Sequence, residues 1–121
     1  MIMMKILLDT NFLMAVGQFK ADVFGELQGN ELFTLSSCIQ ELEKLAGSKK
    51  KDAPAARVAL GLLKNGNVKT IQASGNADFG LMEQAKKGYA VATNDAALIK
   101  KLKESGIKVL RLKQKKRILI E

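Results

Sequence analysis

Apolar residues along the chain fall in short blocks, and their spacing switches between contiguous and helical from one block to the next. Ile6-Leu7-Leu8 is contiguous, as in a strand buried on both faces, and it stops at Asp9-Thr10-Asn11. Phe12, Leu13, Val16, Phe19, Val23, Phe24 and Leu27 follow at helical spacing interrupted by Gly17. They predict one or two short helices over 12–28, ended by Gly29-Asn30. Leu32-Phe33-Thr34-Leu35 predicts a second strand. Ser37-Cys38-Ile39-Gln40 has the form of a capping box, opening a helix with Ile39, Leu42, Leu45 and Ala46 on one face and closed by Gly47-Ser48. Pro54 suits the first turn of the next helix, which carries Ala55, Val58, Ala59, Leu62 and Leu63 up to Asn65-Gly66-Asn67.

The second half repeats the alternation. Val68 to Ala73 predicts a third strand, and 76–87 a helix with Leu81, Met82 and Ala85 inward and Gly88 as its C-cap. Tyr89 to Thr93 predicts a buried strand. Asp95 to Glu104 predicts a helix with Ala97, Leu98, Ile99 and Leu102 inward. Ile107 to Leu110 predicts another strand, and Ile118 to Ile120 a short edge strand. Strands alternating with helices predict an α/β chain: a three-layer α/β/α sandwich with a mainly parallel central sheet. With 121 residues, no repeat and no linker, residues 1–121 read as one domain. In such sheets ligands bind outside the carboxyl ends of the strands.

Charge narrows the partners. Lys and Arg total 20 against 12 acids, a formal charge of +8, which attracts polyanions: nucleic acid first, an anionic membrane surface second. No apolar run is long enough to span a membrane, and Met1-Ile2-Met3-Met4-Lys5 lacks the charged start and cleavage site of a signal peptide. One cysteine, Cys38, forms no internal disulfide, and a cytoplasmic location is expected. The chain has no histidine. That excludes an imidazole base and, with a single cysteine, a structural zinc site. Catalysis would have to run on carboxylates, lysines, hydroxyls or bound metal.

Four acids stand at element junctions. Asp9 follows the first strand, Glu41 lies near the start of the helix after the second, Asp78 opens the helix after the third, and Asp95 follows the strand ending at Thr93. In a parallel sheet all four belong to one rim, where they repel one another unless a hard divalent cation with oxygen ligands sits between them. Taken singly, each is equally well explained as a helix cap or a first-turn acid favoured by the helix dipole.

These same residues carry a family resemblance over residues 5 to about 112. "ILLDTNFLM" resembles the opening of a PIN domain, "SSCIQELEKL" its second motif with the acid at Glu41, and "NADFGLMEQAKKGYAVATNDAALIKKLKESGIKVLRL" its second half. The resemblance implies a PIN-like fold and an endoribonuclease that hydrolyses RNA with metal-activated water, leaving a 5′-phosphate and a 3′-hydroxyl. It implies that Asp9, Glu41, Asp78 and Asp95 form the catalytic, metal-binding set for one or two Mg2+ or Mn2+ ions. Asp9, Glu41 and Asp78 would be direct ligands, and Asp95 would act through water or on a second metal. Thr10, Asn11, Thr93 and Asn94 would support them. Basic clusters at Lys49, Lys50, Lys51 and at Lys113, Lys115, Lys116, Arg117 would hold RNA by its phosphates. Lys100, Lys101 and Lys103 add a helix face. Phe12, Phe19, Phe24, Phe33 and Phe79 fall at core spacing and are expected to pack inside. Within the family the chain is most similar to archaeal single-domain members related to the PIN nucleases of small-subunit rRNA processing. Two other readings stay open: a toxin ribonuclease with a cognate antitoxin, and a non-catalytic RNA-binding module. A homodimer pairing two basic surfaces and a ribosome-assembly partner are further expectations. A nucleotide-binding or receiver-like domain is disfavoured, because no glycine-rich phosphate loop is present.

Overall fold

The computed structural model describes residues 3–73, 77–113 and 117–121, with residues 77 and 78 described by their backbone alone. Six strands form one sheet: β1 (Lys5–Leu8), β2 (Glu31–Leu35), β3 (Lys69–Ile71), β4 (Ala90–Ala92), β5 (Val109–Lys113) and β6 (Arg117–Ile120). Their order across the sheet is β3-β2-β1-β4-β5-β6. All neighbours pair in parallel except β5 and β6. Among the described residues six helices cover the sheet: α1 (Thr10–Phe19), α2 (Val23–Glu26), α3 (Ser36–Ala46), α4 (Ala53–Asn65), α5 (Ala77–Ala85) and α6 (Ala96–Glu104). No helix among the described residues is long and apolar enough to cross a membrane.

The uninterrupted apolar run of β1 has its cause in this order. β1 lies at the centre, and Ile6, Leu7 and Leu8 are fully buried. Ile6 and Leu8 join a core layer with Phe12, Leu13 and Val16 of α1, Leu42 of α3 and Ala56 and Ala59 of α4. Leu7 points the other way, into a layer with Leu81 of α5 and Leu98, Ile99 and Leu102 of α6. Burying each such aliphatic side chain contributes roughly 1.5–3 kcal/mol. The expected three layers are therefore present. Right-handed crossovers account for the segregation: connections moving towards β3 place helices on one face, and those moving towards β5 on the other.

Several local expectations needed correction. The helix after β1 is not broken at Gly17; it runs on to Phe19 and ends where Lys20 takes a left-handed conformation (φ 53°). Gly17 serves close packing instead: a Cβ there would lie 2.3 Å from the Ala55 carbonyl oxygen. The Ser37 capping box does not form. α3 begins two residues earlier with Leu35 at its N-cap and no side-chain cap, and it is Ser36 whose hydroxyl donates to the Ala73 carbonyl and accepts from the Ala73 amide. β3 is shorter than expected, and β5 starts two residues later, at Val109. Ala97 faces outward, and Phe79 is 66% exposed and lies outside the core. Phe12 and Phe33 are buried as expected, with Phe33 meeting Tyr89 edge to face at 5.1 Å.

Two glycines give opposite tests of this packing. Gly17→Ala drives a methyl group into the backbone of α4, which cannot move aside as a side chain would; the expected cost is about 1–3 kcal/mol. Gly61 in α4 is exposed with open space around it, so Gly61→Ala should stabilise by up to about 1 kcal/mol through helix propensity. Thermal melts should show Tm moving down for the first and up for the second. Cys38 is fully buried, and burial, with the nearby Asp9 charge, pushes its thiol pKa up. It should resist a thiol reagent at pH 8 in the folded protein and react after unfolding, whereas rapid native labelling would contradict its placement.

Candidate active site

The order of strands reverses beside β1: the chain builds outward to β2 and β3, then returns to place β4 on the other side. Loops leaving the carboxyl ends of β1 and β4 therefore diverge to opposite faces and leave a crevice between them. Asp9 and the Thr93-Asn94-Asp95 turn stand at that crevice.

Asp9 is 4% exposed. It caps α1, and its Oδ1 accepts from the Thr10 amide at 2.8 Å. Its Oδ2 accepts from the Thr93 hydroxyl at 2.7 Å. The same hydroxyl lies 3.2 Å from Asn11 Oδ1 and accepts from the Asp95 amide at 3.2 Å. It has one proton to give, and the shorter contact to a carboxylate is the stronger. Thr10 repeats the arrangement on the other side: its hydroxyl donates to Glu41 Oε1 at 2.8 Å. Thr93 thus links the Asp9 carboxylate to the Asp95 backbone, and Thr10 links Asp9 to Glu41. Both hydroxyls are buried with their residues, Thr10 at 7% and Thr93 at 0% exposure. The three acids differ in setting: Asp9 is enclosed, Asp95 half-buried and Glu41 exposed.

Asp95 is also a helix cap, its Oδ1 accepting from the amides of Ala97 and Leu98. The capping and site readings are therefore compatible for both Asp9 and Asp95. Asn11 and Asn94 are not caps. Asn11 Oδ1 accepts from the Asn94 amide, tying the two loops together, and Asn94 Oδ1 accepts from the Leu112 amide, fastening the turn to β5. All four supporting residues expected from the sequence thus hold the loops in place. Asp78 lies in the first turn of α5, but its side chain lies outside the described residues.

Asp9, Glu41 and Asp95 line one cleft of about 920 Å³. Its walls come from α1, with Asn11, Met14, Ala15 and Gln18, and from α3, with Ser37, Gln40, Lys44 and Leu45; Asp52, at the head of α4, also lines it. Gln18, Gln40, Lys44 and Asp52 were not singled out from the sequence. The signal was there in the helical spacing of Ser37, Gln40, Glu41 and Lys44 on one face. Among the described residues no three acids stand close enough to hold a metal ion unaided. The donors on the cleft are carboxylate, hydroxyl and amide oxygens, the chemistry of a hard divalent ion that retains several waters. The one thiol is buried, with its pKa pushed up chiefly by burial.

The basic clusters flank this rim. Lys49, Lys50 and Lys51 are exposed in the loop just before Asp52. Lys113 is exposed beside Asn94 and Arg111 in a shallow hollow, and Arg117 pairs across from Lys113 in the sheet. Lys115 and Lys116 lie outside the described residues. Lys103, by contrast, pairs with Glu121 at 3.2 Å.

Comparison with known proteins agrees with this architecture. A family described as "PIN like domain" matches residues 6–115. Ribonuclease VapC9 of Archaeoglobus fulgidus is 42% identical over 93% of this chain and 86% of its own length. Ribonuclease VapC4 of Methanocaldococcus jannaschii is 37% identical over 94% of each chain. The solved structure of the PIN domain endonuclease Utp24 superposes with a TM-score of 0.79 at 26% identity, covering 97% of this chain and 90% of that one. On the fold, the crevice at the strand reversal and these matches together, the chain belongs to the PIN domain family.

Proposed function

We propose that this protein is a metal-dependent endoribonuclease with Asp9, Glu41, Asp78 and Asp95 as its acidic set. The observation that carries the reading is the convergence of Asp9, Glu41 and Asp95 on one cleft at the strand reversal. Two relatives named as ribonucleases, each matched over more than nine-tenths of this chain, support RNA as the substrate. A protein with charge +8 that places its acids in one crevice and its exposed lysines beside it suits a phosphate backbone.

Mg2+ or Mn2+, held by Asp9, Glu41 and Asp78 with Asp95 through water or on a second ion, would supply Lewis acidity to lower the pKa of water and offset charge on the phosphate. The chain's own residues do the rest. The Thr93 hydroxyl and the Thr10 amide donate to Asp9, and the Thr10 hydroxyl donates to Glu41. Each such bond fixes the position of a carboxylate oxygen. Because both threonines are buried, they hold Asp9 and one oxygen of Glu41 in place before substrate arrives. Lys113 and Arg117 on one flank and Lys49 to Lys51 on the other draw in the strand. Without histidine, protons must be exchanged by carboxylates and water.

Two cellular settings suit this reading, a toxin ribonuclease paired with an antitoxin and a nuclease of rRNA processing; the relatives are themselves named ribonucleases and an endonuclease. Growth arrest on induction, relieved by a co-expressed antitoxin, would identify the first; normal growth with altered rRNA maturation on deletion would identify the second.

Asp9→Asn should abolish cleavage of a labelled RNA in Mg2+ or Mn2+ while leaving Tm unchanged or raised, since it removes one of several repelling charges. Wild-type cleavage by that variant, or wild-type activity in EDTA, would overturn the assignment. Thr93→Val keeps all four acids but removes the hydroxyl between Asp9 and Asp95; loss of such a bracing partner typically costs about 10–100-fold in metal affinity or activity. Isothermal titration with Mn2+ and initial rates measure both, and equal affinity in wild type and variant would count against the bracing role.

A further inference from the structure

The acids occupy one end of a longer groove. Thr10 to Gln18 on α1 and Ser37 to Leu45 on α3 are each eight steps along a helix, so each wall runs for about 12 Å at 1.5 Å per residue. α4 closes the far end: its Arg57 donates to the Ala46 carbonyl at the end of α3, and its Ala55 backbone abuts Gly17 of α1. The cleft's 920 Å³ sits near the top of the roughly 300–1,000 Å³ range of small-ligand sites, more than one scissile phosphate requires.

The chemistry of the far end differs from that of the acidic end. Lys44 stands one helical turn beyond Glu41 and brings a cation onto the cleft wall. Gln40, beside Glu41 and a turn before Lys44 on the same wall, and Gln18 at the far end of the opposite wall each offer an amide with both donors and an acceptor. Met14 and Leu45 are half-buried apolar side chains lining the same cleft. A cation, two amides and an apolar patch match the phosphate, edge and face of one unpaired nucleotide. Asp52 bounds the cleft with a negative charge, which discourages a further phosphate inside the cleft beyond Lys44 and leaves Lys49 to Lys51 to meet the strand outside it.

We infer that Gln18, Gln40 and Lys44 form a subsite for the single-stranded nucleotide next to the cleaved bond. Lys44 holds its phosphate, and the two glutamines read its base edge. The inference rests on the ribonuclease reading above and adds where sequence preference comes from. Lys44 is a binding residue, Gln18 and Gln40 set specificity, and Asp52 limits how far the strand extends.

The test uses the full chain with short single-stranded RNAs randomised around the cut. Wild type is compared with Lys44→Ala, Lys44→Arg, the Gln18→Ala/Gln40→Ala double variant and Asp52→Asn. All four residues are exposed, and a thermal melt confirms folding. Binding is measured by fluorescence anisotropy in EDTA across a salt series. Losing one phosphate contact reduces the slope of log K against log salt by about 0.7 for a single strand. Lys44→Ala should show that reduction and raise KM by roughly tenfold, more than it lowers kcat, with Lys44→Arg restoring the slope. The double glutamine variant should cut with a flattened base preference at the adjacent position, read by sequencing the products. Asp52→Asn should bind more tightly. An unchanged salt slope in Lys44→Ala, or an unchanged base preference in the glutamine variant, would overturn the subsite. If wild type binds RNA with the expected slopes but cuts none in Mg2+ or Mn2+, the nuclease reading fails while the binding groove stands. If it does not bind RNA, both fail.

Discussion

A parallel strand buried on both faces can offer the solvent only its ends, and β1 is such a strand. Its neighbours occupy both edges, and helices cover both sides. Polar chemistry can therefore emerge from β1 only where the chain leaves its carboxyl end, at Asp9. The reversal of strand order places β4 alongside, so the second polar exit, Thr93-Asn94-Asp95, opens into the same space. The backbone fixes the alignment: the Asp9 amide donates to the Ala92 carbonyl, and the Thr93 amide to that of Leu110. Asp9 and Asp95 reach one rim because three strands are in register, before any side chain contributes.

That constraint explains the division of labour among the polar residues. A carboxylate held in a crevice with other carboxylates must either take up a proton or be furnished with donors. Here the donors are threonine hydroxyls and backbone amides, which bring no charge of their own. The arrangement adds no positive charge beside Asp9 in a molecule that is otherwise basic; Lys44 stands farther along the cleft wall, and the exposed lysine clusters lie around it. Helix capping and site building use the same atoms: Asp9 and Asp95 each satisfy free amides at the start of a helix while bordering the cleft.

The alternation of strands and helices was legible because each element carries its own period, contiguous for central strands and about 3.6 for helices. The three acids now seen on one cleft were legible too, since a parallel sheet sends all its strand-to-helix junctions to one rim. Less could be read where tertiary contacts decide. Gly17 reads as a breaker along the chain and proves to be a contact point for α4, which begins 36 residues later. Ser37 fits a local capping rule, but Ser36 takes the hydrogen bonds because residue 73 passes beside it. Phe79 has the right spacing for the core and lies outside it. Lys44, Gln40 and Gln18 look like ordinary exposed helix residues until α1 and α3 are set side by side.

One more consequence lies in the distance along the chain between the partners in the Asp9–Thr93 hydrogen bond. They are 84 residues apart, yet they sit on adjacent strands. During synthesis, a ribosome that has released β1, β2 and β3 has made Asp9 and Glu41 but not the hydroxyl that braces the first or the capping acid that completes the rim. Closing so long a loop is entropically costly, and non-local parallel pairing is slow to form. The crevice therefore takes shape only when β4 inserts between β1 and β5, after most of the chain exists. A nascent chain, or one cut short before residue 93, carries three of the four acids but no assembled site, so order of synthesis itself separates making this protein from switching it on.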